Sequence, residues 1–168
     1  MVILLLGIGL YASVAHSDLR TQRIPSELVA AIAALGLMRM FLVGELSMAL
    51  YSLAAATALF VVASLLFWWG LVGGGDVKLA GASALLVGHH DLPGFLVVMS
   101  LSGALIALTI VAAHDSRLGA WLRPVPRLAT TLAAEEPPQI TARLRVPYGV
   151  AIATAGIMTL ALQSFVPG

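Results

Sequence analysis

Two acidic residues stand where acids are expensive to keep. Asp18 closes the apolar run Met1–Ser17, in His16-Ser17-Asp18-Leu19-Arg20-Thr21-Gln22-Arg23-Ile24-Pro25. Asp76 follows a second apolar run, in Gly73-Gly74-Gly75-Asp76-Val77-Lys78-Leu79. An ionisable side chain in or beside a membrane span is a functional hypothesis by default. Two carboxylates that meet in a helix bundle do not readily both ionise. They share a proton, so one serves as base and the other as acid. Such a pair activates a water against a peptide carbonyl and protonates the departing amine. Gly73, Gly74 and Gly75 suit that chemistry. An unwound glycine run lets a substrate backbone approach and offers it partners inside a membrane cavity.

Each of these residues also has a plainer reading. Asp76 would cap a following helix, and Asp18 would pair with Arg20 or Arg23. The glycine triplet would be a turn, and Lys78 a positively charged anchor. Composition and spacing leave both readings open.

Other chemistries find less support. His16, His114 and Asp115, with Asp76, would make an N/O ligand set on one side, while His89-His90-Asp91 falls opposite. Interface histidines are mostly polar edge residues, so neither a metal nor another cofactor is expected. The serines have no evident histidine partner, and Lys78 adjoins an acid, which disfavours a Ser–Lys dyad. The chain has no cysteine, which excludes disulfides, thiolate metal sites and a Cys nucleophile.

The elements that must position the two acids follow from composition. Of the 168 residues 60% are hydrophobic and 10% charged, and the mean hydropathy is +1.01. Soluble domains are about a quarter charged, so the chain reads as an all-α, polytopic transmembrane helix bundle. It forms a single domain over residues 1–168, with the lipid bilayer as its surroundings and no nucleic-acid partner expected. Met1–Ala15 lacks a basic n-region and a good cleavage site after it, so it reads as a retained span.

A spanning helix needs about 20 apolar residues. About six candidates appear: Met1–Ser17, Ile24–Gly44, Leu46–Gly75, a short Leu79–His90, Leu92–Ala113 and Val146–Gly168. Arg39 sits near the end of the second, where it is expected to snorkel to the interface. His114–Arg145 is the one long loop, with a possible short surface helix at Leu128–Glu136. Trp68, Trp69 and Tyr148 suit interface anchoring. Six spans place Arg20, Arg23, Lys78, Arg117, Arg123, Arg127, Arg143 and Arg145 on one side and only Arg39 opposite. The positive-inside rule makes the basic side cytoplasmic, and it is the side that holds Asp18 and Asp76.

Taken together, the segments resemble the paired motifs of the type IV prepilin peptidase family. Asp18, Arg20, Ile24 and Pro25 match the first, and Gly73, Gly75, Asp76, Lys78 and Leu79 match its Gly-x-Gly-Asp signature. Val146-Pro147-Tyr148-Gly149-Val150-Ala151 resembles its Pro-Tyr/Phe-Gly element. The resemblance implies an aspartic endopeptidase of the bacterial inner membrane. It would remove the basic leader of prepilin-like substrates at the cytoplasmic face, with Asp18 and Asp76 catalytic. Gly73, Gly74, Gly75, Lys78, Arg20, Pro25, Pro147, Tyr148 and Gly149 would support substrate or structure. Large bifunctional members carry two Cys-x-x-Cys pairs between the first two spans and also methylate the new N-terminus. This chain lacks them and resembles the short, peptidase-only branch of tight-adherence pili. Ser26 replaces the usual Asn and is expected to cap the second helix. The alternatives are a small proton-coupled transporter, for which no inverted repeat is evident, and an inactive pilus-assembly component.

Overall fold

The structure, a computed structural model, describes residues 2–114 and 148–165. The expected loop His114–Arg145, the surface helix expected at Leu128–Glu136 and Pro147 lie outside the described part, apart from the backbone of His114 at the end of a helix. Every regular element among the described residues is a helix. In chain order these are α1 (Val2–Thr21), α2 (Ser26–Val43), α3 (Leu46–Trp68), α4 (Gly74–Val87), α5 (Leu92–His114) and α6 (Tyr148–Phe165).

Four of them, α1, α3, α5 and α6, are long and apolar enough to cross a membrane. Their outer faces carry Leu5, Phe60, Trp68, Leu101 and Phe165 in the open. Large apolar side chains exposed in such number suit a lipid environment, making this an all-α membrane helix bundle.

Helix α4 lies at the centre, packed against α2, α3, α5 and α6, while α1 packs on α6 and α2. Its 14 residues reach about 21 Å, short of the ~30 Å hydrocarbon core. It is also the most deeply buried helix, with Leu79, Ala80, Gly81, Ala82, Ser83, Ala84 and Leu86 all inside. Small residues let neighbouring backbones come close, which is how helices associate where lipid removes the hydrophobic drive. Gly36 on α2 is the tightest case against α4. A Cβ there would stand 2.8 Å from the Leu86 nitrogen and 2.9 Å from the Leu85 carbonyl carbon. On the far side, Gly156 of α6 receives the ring of buried Tyr11, which a Cβ would meet at 2.4 Å.

Two boundaries differ from the sequence expectation. The third apolar run does not continue to Gly75 as one helix. Gly70 takes a left-handed φ of 73°, the Leu71 amide donates to the Leu66 carbonyl at 3.0 Å and the Gly70 amide to Phe67 at 2.8 Å. This paired closure ends α3 at Trp68. The fourth helix then starts at Gly74 rather than Leu79, so Gly74 and Gly75 form its first turn and only Gly73 stays extended. In α2, Ser26 is already helical and Pro25 holds the cap position without a side-chain hydrogen bond, so Ser26 is not the cap.

Gly36→Ala is expected to destabilise the bundle by about 1–3 kcal/mol through overpacking. Gly9→Ala, which meets nothing within 4 Å, is expected to be neutral. Thermal unfolding in detergent, compared for the two variants, checks this.

Candidate active site

The inner face of α1 is a stripe of Gly7, Tyr11, Val14 and Asp18. The spacing of three and four residues returns to one side of the helix at each turn. The helix does not stop at Asp18 but runs to Thr21, which keeps the Asp18 side chain on that inner face, 5% exposed. The turn that follows is tied down locally. Ser17 Oγ donates to the Arg23 carbonyl at 3.1 Å, Thr21 Oγ1 donates to the same carbonyl at 3.3 Å, and Gln22 takes a left-handed φ of 49°.

The partner of Asp18 is the start of α6. The Val150 amide donates to Asp18 Oδ2 at 3.1 Å, and the Gly149 amide donates to the same carboxylate. The first amides of a helix have no intrahelical acceptor and carry its positive end, so they suit an anion. Gly149 makes the approach possible. A Cβ there would lie 2.7 Å from Asp18 Oδ2 and 2.8 Å from its Cγ.

Asp76 sits in the first turn of α4. Its carboxyl folds back over Gly73, where a Cβ would meet Oδ2 at 2.8 Å. Ile24 stands between the two helix starts. Its side chain would be 3.4 Å from a Cβ on Gly75 and 3.1 Å from one on Gly149. Asp18 and Asp76 are thereby gathered at one end of the bundle, each beside the first turn of a different helix. Asp76 is half-buried and outside the four long spans. Burial first, and then the charge of Asp18, push its carboxyl up to about 6, with the Gly73 backbone hydrogen bond restraining the rise. A carboxyl poised there can hold or release a proton near neutral pH.

Of the other residues singled out in the sequence, Gly73, Gly75, Pro25 and Gly149 join this end. Gly74 packs on Phe67. Arg20 and Lys78 are exposed, and so is Tyr148, the first residue of α6. Neither Arg20 nor Arg23 pairs with Asp18, since the ion pair found among the described residues is His90–Asp91 at 3.3 Å. His16 is exposed, Asp115 lies outside the described residues, and no three His, Cys, Asp or Glu among those described gather to hold a metal. His89-His90-Asp91 follows α4 at its opposite end. Val150, Ile24 and Ser17 were not foreseen as contributors. Each adjoins or lies inside a motif, which was the available signal.

The sequence model of the type IV leader peptidase family matches residues 3–108. The chain belongs to the type IV leader peptidase family. The match includes both acids and ends before α6, so the amides that hold Asp18 come from outside it. No curated protein and no solved structure matches the chain. Membership of this family makes the protein a protease, with a prepilin-like substrate and a membrane setting.

The raised Asp76 has a consequence for stability. Its unfolded value is near 3.8 and its folded value about 6, so the folded state holds the proton to higher pH. That contribution is fully present below about 4 and is lost as pH rises through about 6. Asp76→Asn cannot ionise. Its melting temperature is therefore expected to fall less between pH 4 and pH 7 than that of the wild type, as read by thermal unfolding across that range.

Proposed function

We propose that the protein is an aspartic endopeptidase that removes the basic leader from type IV prepilin-like substrates, with Asp18 and Asp76 as its catalytic pair. The observation that carries this reading is the convergence of the two carboxylates beside the first turns of α6 and α4, with Asp76 raised by burial and by Asp18.

The pair holds one proton between its two carboxyls. The ionised partner takes a proton from a water molecule, whose oxygen attacks the scissile carbonyl. The protonated partner hydrogen-bonds the carbonyl oxygen as it gains charge. Collapse of the tetrahedral species breaks the C–N bond, and a proton passes to the departing amine. Helix-start amides beside Asp18 steady its charge through these changes. Gly73 is exposed and extended at the rim of the pair, where an unpaired substrate strand needs backbone partners.

The same end of the bundle carries Arg20, Arg23 and Lys78, a basic bias that supports reading it as the cytoplasmic face of the bacterial inner membrane. A basic leader held in the cytoplasm, joined to a hydrophobic helix in the bilayer, presents its junction at that depth. The chain has no cysteine, hence no Cys-x-x-Cys pairs between α1 and α2, and the reading stops at cleavage without N-methylation.

Co-expression with a prepilin-like substrate, followed by the size shift on leader removal, tests the proposal. The native chain is expected to cleave, and Asp18→Ala or Asp76→Ala to abolish cleavage. Asp→Asn at either position is expected to keep the fold while lowering the rate by about 10²–10⁴. Undiminished cleavage by both alanine variants would remove the pair from the mechanism.

A further inference from the structure

Arg39 was expected to snorkel to the interface. It is instead half-buried and turned inward, donating to the carbonyls of Leu86 and of Val87, the latter at 3.0 Å. These carbonyls belong to the last turn of α4 and have no acceptor role left inside the helix. Gln163 of α6 donates to the same Val87 carbonyl at 3.1 Å and also to Asp91. Ser52 of α3 accepts from the His89 amide at 3.3 Å. Three surrounding helices thus grip one end of α4 with side chains.

That grip adds to the buried Leu79 and Leu86 and the Gly36 contact in fixing α4 along its axis, because the middle of the helix offers little to interlock. Ala80, Gly81, Ala82, Ser83 and Ala84 give it a smooth surface. Small side chains allow close approach but interlock weakly. A slip of one residue would shift α4 by about 1.5 Å and turn it by about 100°. Asp76, on the first turn, would leave the neighbourhood of Asp18. Such a displacement is enough to disable a site that depends on two groups meeting. Among the described residues, Arg39 is the basic one at the end of the bundle opposite Arg20, Arg23 and Lys78, where charge bias disfavours it.

We infer that Arg39, from about 15 Å away along α4, is a positioning residue: by capping the carbonyl end of the helix it sets the depth and rotation at which Asp76 faces Asp18. The inference rests on the reading of Asp76 as part of the cleaving pair. Lysine offers a single ammonium in place of a two-pronged guanidinium, so Arg39→Lys should restore part of the grip and Arg39→Met none.

The test uses the full chain in nanodiscs, which leave both faces open. Cleavage gives kcat and KM. Helix placement is read separately by introducing Lys78→Cys, the sole thiol in this cysteine-free chain, and timing its reaction with a polar maleimide. Arg39→Met is expected to lower kcat at least 10-fold with KM within about twofold, and to change the labelling rate of position 78 several-fold. Arg39→Lys is expected to recover part of both. If Arg39→Met does not fold, Gln163→Leu removes the second donor to Val87 and is expected to shift both readouts in the same direction by less. An unchanged labelling rate, or a kcat that stays at the wild-type level, overturns the inference. Absence of cleavage by the wild type would instead overturn the protease mechanism, and the labelling comparison would still decide whether Arg39 places α4.

Discussion

A helix that ends inside a bilayer leaves amides at one end and carbonyls at the other with no water to receive them. Helix α4, with 14 residues, does not reach across the hydrocarbon, so at least one of its ends must find partners within the protein. The bundle answers it asymmetrically. At the carbonyl end the donors are neutral Gln163 and cationic Arg39. At the amide end the nearest acidic group is Asp76 itself, on the first turn. The short helix therefore lies between a cation and an anion in the orientation that its dipole favours. The start of α6 repeats the second half of this arrangement, with Asp18 as its anion. Two helix starts that both attract negative charge converge, and the carboxylates they attract are brought together.

Close backbone approach makes that convergence possible. Gly36 lets α2 lie against the end of α4, Gly156 admits Tyr11 between α1 and α6, and Gly149 lets α6 begin directly over Asp18. At each of the three a methyl group would collide with a backbone, an aromatic ring or the carboxylate. Packing here relies on contact area between backbones, since lipid supplies no hydrophobic drive for helices to associate.

Much of this was legible in the sequence, for physical reasons. Long apolar runs have few structural options in a bilayer, so the helices could be read from composition. Membrane acids are costly, so Asp18 and Asp76 stood out. The end of α3 was not legible, because Gly70 lies in an unbroken apolar run and ends the helix through its φ rather than through polarity. The start of α4 was misplaced for a related reason: three glycines read as unwound, yet two are helical once the helix is packed on all sides. The contribution of Val150 is a main-chain amide, which residue type does not reveal. Arg39 looked like an interface anchor because its acceptors, Leu86 and Val87, are backbone carbonyls distant in the chain.

The bond between Asp18 and the start of α6 also imposes an order on biosynthesis. Of the six described helices, Asp18 belongs to the one made earliest and Val150 to the one made last. Until α6 has entered the membrane, Asp18 lacks its amide partners and the α1–α6 packing that buries it. A partly made chain therefore carries both carboxylates without the arrangement that couples them.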